Sequence, residues 1–167
     1  MIIDNAPEQS LGAKGRCQKM KIVQIASDHA GFELKGLLAG ELAREGWQVT
    51  DHGPDSGERC DYPQFARRLC ASVISGQAPG ILICGTGIGM SMCANRFANI
   101  RAALCATEMH ARMARLHNDA NVLCLGSRIT GAGLALAIVK TFLETPFEMG
   151  RHRDRIDQFS ASGLTLP

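Results

Sequence analysis

A cysteine at the end of an apolar run is the residue of this chain best placed to do chemistry. Cys84 closes the run at 80–84, and glycines follow at 85, 87 and 89 before a helical pattern begins. Glycine lets the backbone turn tightly and approach a ligand, and successive N–H groups at a helix start favour an anion. The same helix start favours the thiolate form of a cysteine. Cys84 is therefore predicted to act as a nucleophile or as a base, and the residues alone do not choose between these roles.

Two nucleotide-binding motifs do not fit this loop. Met90 stands where a dinucleotide-binding loop needs its third glycine, and no Gly-Lys-Ser or Gly-Lys-Thr of a P-loop follows. A tight strand-to-helix turn without a function is the structural alternative. The thiol of Cys84, the hydroxyl of Thr86 and a run of backbone amides meet at one strand end, and this combination favours a functional site.

Two further pairs of polar residues follow predicted elements. Asp28 and His29 come directly after the first predicted strand, which places them at the same sheet edge as Cys84. Asp28 is also a candidate helix cap, with His29 incidental, and both interpretations stay open. His117 and Asn118 end a predicted helix. An imidazole beside a carboxamide suits proton exchange with hydroxyl groups, although a histidine there also complements the negative helix end.

A basic cluster near the end of the chain is a candidate phosphate site. Arg151 and Arg155 are four residues apart and would share a helix face, with His152 between them and Arg128 earlier in the chain. The forked guanidinium group suits phosphate recognition. The alternative is a solvated basic tail, and the cluster taken alone favours that alternative.

Composition excludes several classes of protein. The chain has 167 residues, 46% of them apolar, and a net charge of +2 from 18 basic and 16 acidic residues, which does not indicate a nucleic-acid-binding protein. No apolar run is long enough to span a bilayer, and no signal-peptide pattern opens the chain. The seven cysteines form no CxxC pair, so neither a disulfide framework nor a zinc ribbon is indicated. Reduced thiols in the cytoplasm are predicted.

Strands and helices alternate along the sequence. Short apolar or β-rich runs lie at 21–26, 47–51, 80–84, 101–105 and 121–125. Helical patterns lie between or after them, at 31–45, after Asp61-Tyr62-Pro63, near 87–97, after Thr107 and at 131–143. The apolar runs are continuous, as in a parallel sheet that is buried on both faces. Ligands of such folds bind at the carboxyl ends of the strands, which again indicates the region of Cys84.

One domain is predicted for residues 20–160. Residues 1–19 show no usable period and are predicted to be a flexible extension, or else Met20 is the functional start. Residues 161–167 are predicted to be a flexible tail.

Six motifs in this order resemble the type B ribose-5-phosphate isomerase family, which includes the related allose- and galactose-phosphate isomerases. The resemblance spans about residues 20–157, and the glycine-loop motif is highly specific. The motifs are SDHAG (27–31), DYP (61–63), GILICGTGIGMSMCAN (80–95), RAALC (101–105), HNDANVLCLGSR (117–128) and GRHRDR (150–155).

The resemblance implies a three-layer α/β/α sandwich of Rossmann-like type with a five-stranded parallel sheet. It implies a homodimer with sites between the subunits, sometimes paired into a tetramer, and no metal or organic cofactor. Family members carry either Cys at the base position, or Ser there with Glu four residues on. Cys84 and Ile88 identify this chain as a member of the Cys group.

The resemblance also assigns roles to residues. Cys84 would move a proton between C2 and C1 of a sugar phosphate, His117 would help to open the sugar ring, and Asp28 would contact hydroxyls. The amides of the loop, with Thr86, would hold the negative charge of an enediolate, and this set comprises Gly85, Gly87, Ile88 and Gly89. Asn118 would bind hydroxyls, and Asn95 would brace the loop or the substrate. The phosphate would be bound by His29, Arg128, Arg151, His152 and Arg155.

Ribose 5-phosphate is the predicted substrate, in pentose phosphate metabolism, and three other interpretations stay open. Allose 6-phosphate, galactose 6-phosphate or erythrulose 4-phosphate would use the same base, so Cys84 does not discriminate among them. A non-catalytic sugar-phosphate-binding protein would have lost the base, which is present here. A nucleotide-binding module is disfavoured by the missing third glycine.

Overall fold

The computed structural model of the chain describes residues 20–76 and 78–160. The extension predicted at 1–19 and the tail predicted at 161–167 lie outside these residues. None of the described helices is both long and apolar enough to cross a membrane.

Five parallel strands form one sheet in the described part of the chain, in the order β2-β1-β3-β5-β4. Their bounds are β1 Ile22–Ser27, β2 Gln48–Asp51, β3 Gly80–Cys84, β4 Ala102–Leu104 and β5 Val122–Gly126. The helices are α1 Phe32–Arg44, α2 Tyr62–Gly76, α3 Ile88–Ala94, α4 Glu108–Asn118, α5 Ala132–Glu144 and α6 Arg151–Ser160. A single 3-10 turn at His29–Gly31 precedes α1.

Two apolar clusters cover the two faces of the sheet and make the fold a three-layer sandwich. Leu38 of α1 packs in one cluster with Ile138 and Phe142 of α5. Leu69 of α2 and Met90 of α3 pack in the other. All five side chains are fully buried, and each such burial stabilises the fold by about 1.5–3 kcal/mol. The fold predicted from the sequence is confirmed.

The strands differ in burial according to their place in the sheet. All residues of β3 and β5 are buried and β1 is nearly so, as the continuous apolar runs predict. The edge strands β2 and β4 are partly exposed. Chain connections leave β1 and β3 in opposite directions along the sheet, so their carboxyl ends flank the crevice where ligands of open α/β sheets bind.

Two elements are shorter than predicted, and at each of the two ends a side chain bonds to the backbone. Helix α3 ends at Ala94 rather than near 97. At this end the Asn95 side chain donates to the Ser91 carbonyl at 3.0 Å and to the Ala102 carbonyl at 2.9 Å. Strand β4 begins at Ala102 rather than at 101, because the N–H of Arg101 donates to the Asn121 side chain at 2.8 Å.

Candidate active site

Cys84 lies at the carboxyl end of the central strand β3, where its sulfur accepts a hydrogen bond from the backbone N–H of Gly87 at 3.1 Å. Among the described cysteines it is the one whose sulfur accepts a backbone hydrogen bond. Burial raises the pKa of the Cys70 and Cys105 thiols to about 12, so these cysteines stay protonated. The Gly87 contact therefore distinguishes Cys84, whose residue is 5% exposed, from the other described cysteines.

Glycine is required at two positions for the loop to pack as it does. Gly87 has φ +77°, and a Cβ atom there would lie 2.5 Å from Leu104 and 2.9 Å from the backbone of Leu125. A Cβ atom at Gly126 would lie 2.7 Å from the backbone of Thr86. The loop thus rests directly on the end of β5, and this close approach fixes the direction of its amides.

Asp28 and His29 lie beside Cys84 at the carboxyl edge, as the sequence predicts. The Asp28 N–H donates to the Ile83 carbonyl at 3.0 Å, and its Oδ1 atom accepts from the Gly31 N–H at 3.0 Å. The capping interpretation is thus correct, and it leaves the contact of Asp28 with a substrate as a prediction. The His29 ring contacts the backbone of Cys60 through Nδ1, at 3.2–3.3 Å.

Arg128 completes the carboxyl edge. Its N–H donates to the Gly85 carbonyl at 3.0 Å, and its guanidinium lies 3.4–3.5 Å from where a Cβ atom of Gly85 would be. The neighbouring Ser127 hydroxyl donates to the Ala30 carbonyl at 2.8 Å, which ties the end of β5 to the turn after β1. The structure therefore brings Asp28, Cys84 and Arg128 together at one edge.

Asn95 uses both ends of its side-chain amide on the protein itself. In addition to the two bonds that its nitrogen donates, its Oδ1 atom accepts from the Ala102 N–H at 2.8 Å. These bonds tie the end of α3 to the start of β4, and neither partner lies in the loop at 85–89, so a role of Asn95 in bracing that loop or the substrate stays a prediction.

A second group of site residues surrounds the end of helix α4. The imidazoles of His117 and His152 stack with centroids 4.1 Å apart and planes 9° apart. One oxygen of Glu148 lies 3.6 Å from Nε2 of His117 and 3.8 Å from Nε2 of His152. Arg151 and Arg155 are exposed on α6, whereas His152 is 4% exposed and buries its Nε2 atom without a hydrogen-bond partner.

The second group lies at the amino edge of the sheet, opposite to Cys84. Helix α4 ends at Asn118, a few residues before β5 begins at Val122. Val122 pairs with Gly80 at the start of β3, and Cys84 pairs with Gly126 at the end. Because a strand rises about 3.3 Å per residue, the four steps along β3 separate the two edges by roughly 13 Å. A single chain does not bring Cys84 and His117 together.

Two comparisons with known proteins decide the family. The model of the ribose/galactose isomerase family matches residues 23–159. Ribose-5-phosphate isomerase B of Escherichia coli is 44% identical over 143 residues, which are 85% of this chain and 96% of that protein. This chain belongs to the ribose/galactose isomerase family. The resemblance to its type B ribose-5-phosphate isomerases is confirmed.

Solved structures of the family share the fold. A ribose 5-phosphate isomerase of Thermotoga maritima is 51% identical, with a TM-score of 0.82 over 84% of this chain and 97% of that one. Ribose-5-phosphate isomerase B of Mycoplasma genitalium, solved with bound ribulose-5-phosphate, is 42% identical, with a TM-score of 0.81 over 85% of this chain and 96% of that one.

The ribose/galactose isomerase fold holds His117 and Asn118 in place through the next residue of the same motif, Asp119, for which the sequence predicts no role of its own. Asp119 has φ +43°, and its carboxylate accepts from Arg101 at 2.8 Å and from Arg115 at 2.9 Å. The Nε atom of Arg101 also donates to the Asn118 and Asp119 carbonyls, at 3.1 and 2.8 Å. The one sequence signal was the presence of Asp119 within the family motif at 117–128.

Glu148 was also missed, because no spacing links it to His117 in the sequence. In the described part of the chain, His117, Glu148 and His152 form a group with potential metal-ligand atoms within 4.8 Å of one another. An imidazole binds a metal ion in its ring plane at about 2.0–2.1 Å, and two parallel rings 4.1 Å apart do not aim their lone pairs at one point. The stacked arrangement therefore does not fit a metal site.

Proposed function

We propose that this chain is an aldose–ketose isomerase that interconverts ribose 5-phosphate and ribulose 5-phosphate. The observation that carries the proposal is the Cys84 sulfur, held by the Gly87 N–H at the carboxyl end of the central strand. Membership of the family supports the reaction class. The ribulose-5-phosphate bound to the Mycoplasma genitalium relative supports a five-carbon substrate.

Cys84 is the base of the proposed reaction. The thiolate removes the proton from C2 of the open-chain aldose, which leaves an enediolate, and then returns a proton to C1. The C2 hydroxyl loses its proton as the C1 oxygen gains one. Backbone amides from Gly85 to Gly89, with the Thr86 hydroxyl, stabilise the enediolate charge, and one donor of this kind contributes about 3–4 kcal/mol to lowering a barrier.

His117 opens the sugar ring in the proposed mechanism. The imidazole takes the proton of the C1 hydroxyl, and the imidazolium so formed delivers a proton to the ring oxygen as the bond from C1 to that oxygen breaks. Asn118 binds the neighbouring hydroxyls. Because His117 lies at the amino edge of its own sheet, the partner subunit's His117 must reach the Cys84 edge. We therefore include a homodimer with shared sites in the proposal.

An exposed apolar surface near the Cys84 loop supports a second copy as the partner. Ile88 and Met92 on α3 and Leu104 on β4 are all exposed, although each is a large apolar side chain. Covering this surface with a second copy would remove apolar area from water beside the loop. Pairing of dimers into a tetramer is left open.

The phosphate group is the anchor of the substrate in this proposal. Arg151 and Arg155 present exposed guanidiniums from one face of α6. Across the shared site they would meet His29 and Arg128 of the carboxyl edge. His152 belongs to the same predicted set, with its buried Nε2 atom as a potential donor. An anchored phosphate supplies binding energy that orients the reacting carbons.

A cytoplasmic location and a place in pentose phosphate metabolism complete the proposal. The six cysteines of the described residues are free thiols, which suits a reducing compartment.

A substrate panel tests the proposal. We would measure kcat/KM of the purified protein for ribose 5-phosphate, allose 6-phosphate, galactose 6-phosphate and erythrulose 4-phosphate, with Cys84→Ala as the inactive control. We expect a clear preference for ribose 5-phosphate. A preference for another sugar would overturn the substrate and keep the mechanism, and no turnover by folded protein would favour a sugar-phosphate-binding protein.

A further inference from the structure

We propose that Glu148 is a positioning residue for His117, which it orients and whose positive charge it stabilises during ring opening. The inference deepens the proposed function and rests on it. The carboxylate would hold the Nε2–H side of the imidazole and leave the Nδ1 lone pair for the substrate.

Three contacts place Glu148 beside the imidazole. Its side-chain oxygen lies 3.6 Å from Nε2 of His117. Its backbone N–H donates to the carbonyl of Leu116, next to His117, at 3.0 Å. The backbone bond docks the segment before α6 onto the end of α4 without using the carboxylate. The carboxylate is therefore free to act on the imidazole, and a change of the side chain leaves the docking bond in place.

His152 fixes the plane of the His117 ring from the other side. The two rings are parallel within 9°, and His152 is buried, so the stack restricts rotation of His117. Burial lowers the pKa of His152, and Glu148 opposes this effect. Three nearby groups lower that pKa further: His117, Arg151 and Arg155. A neutral His152 does not compete with His117 for an ion pair with the Glu148 carboxylate.

The arrangement has the chemistry of a carboxylate–imidazole pair. In such pairs the carboxylate selects the tautomer of the imidazole and stabilises the imidazolium that forms when a proton is taken up. At 3.6 Å the contact is longer than a hydrogen bond, and catalytic contacts of this kind shorten when the substrate binds.

Side-chain variants at 148 test the inference with ribose 5-phosphate. We expect Glu148→Ala to lower kcat by about 10- to 100-fold with KM changed less than about twofold. Glu148→Gln keeps an acceptor but loses the charge, so its kcat should fall between those of wild type and Glu148→Ala. Asp157→Asn removes an exposed carboxylate on α6 and is the matched control. We expect its kcat to equal that of the wild type.

A four-carbon aldose 4-phosphate separates ring opening from isomerisation, because its C4 oxygen carries the phosphate and cannot close a furanose ring. We expect the defect of Glu148→Ala to shrink to less than about threefold on erythrose 4-phosphate. An equal defect on both sugars, or an unchanged kcat on ribose 5-phosphate, would overturn the role in ring opening. Failure of the wild type on every sugar would instead mark the failure of the proposed function.

Nitrogen-15 NMR of the histidine rings tests the contact independently of turnover. We expect the His117 ring to carry its proton on Nε2 in the wild type and in Glu148→Gln, and to become a mixture of tautomers in Glu148→Ala. The same His117 signals in the wild type and in Glu148→Ala would contradict the positioning role, whatever the substrate proves to be.

Discussion

At the carboxyl edge of the sheet Cys84 is surrounded mainly by main chain, whereas at the amino edge His117 is contacted by side chains. Cys84 is served by the Gly87 amide, and the loop around it packs on backbone. His117 contacts the stacked imidazole of His152 and the carboxylate of Glu148, which both lie more than 30 residues further along the chain. In the proposed mechanism the carboxyl edge carries the proton-transfer base and the amino edge carries the residue that opens the ring, while the phosphate ligands come from both edges.

Replacing Cys84 should have the largest effect, because it removes the proposed base at the carboxyl edge. We expect Cys84→Ala to lower kcat for ribose 5-phosphate by about 10³-fold, within the range typical of a positioned base. Cys84→Ser keeps the shape but has a far less acidic hydroxyl, so it should recover little. Thermal unfolding shows whether both variants fold. Near-wild-type turnover of the alanine variant would remove Cys84 as the base.

A methyl group at Gly87 tests whether main-chain packing holds the Cys84 loop in place at the carboxyl edge. Gly87 has φ +77°, and a Cβ atom there would lie within 3.0 Å of backbone atoms. We therefore expect Gly87→Ala to lower the free energy of unfolding by about 2–3 kcal/mol. Gly40→Ala in α1 is the control, since nothing lies within 4 Å of its Cβ position, and it should stabilise by about 0.5–1 kcal/mol. Urea denaturation measures both, and equal effects would refute the packing argument.

The proposed phosphate role of Arg155 predicts a binding defect. We expect Arg155→Ala to raise KM for ribose 5-phosphate about tenfold with little change in kcat, as for one lost charge-assisted hydrogen bond. Arg153→Ala is the control, because Arg153 lies on the same helix and pairs with Asp157. Initial rates over a range of substrate concentrations give both constants. An unchanged KM for Arg155→Ala would favour a solvated basic tail.

The Asp119 network should have the smallest effect of the four. Asp119→Asn keeps a residue type that tolerates φ +43° but removes the charge shared by Arg101 and Arg115. We expect a loss of about 1 kcal/mol in the free energy of unfolding. The single Glu41–Arg44 pair, in which Arg44 is exposed, is the comparison, and Glu41→Gln should change stability by less than about 0.5 kcal/mol. Equal losses would mean that the network contributes no more than a surface pair.

The sequence predicts the carboxyl edge better than the amino edge, for a physical reason. The bounds of β3 and the Thr107 cap of α4, which accepts from the His110 N–H at 3.2 Å, follow from local patterns. The family and the fold are also confirmed. Cys84 stands out because glycine spacing and a strand end are local signals. Its role as the base remains a prediction.

The contacts of the amino edge join residues that are far apart in the sequence. Glu148 meets His117 only because the end of α4 and the segment before α6 pack together, and no spacing in the sequence reports that packing. Asn95 at the end of α3 is a similar case, since its side chain bonds to a strand seven residues away. Side-chain contacts between separate elements are therefore what the motifs do not report.

Mixing two inactive variants tests most directly whether one active site combines both edges from different subunits. Cys84→Ala and His117→Ala would be unfolded together, refolded at equal concentrations and assayed with ribose 5-phosphate. A mixed dimer has one intact site if Cys84 and His117 come from different subunits, so we expect about a quarter of wild-type activity from random pairing. Activity no higher than that of the separate variants, in dimers shown to have mixed, would contradict the shared site.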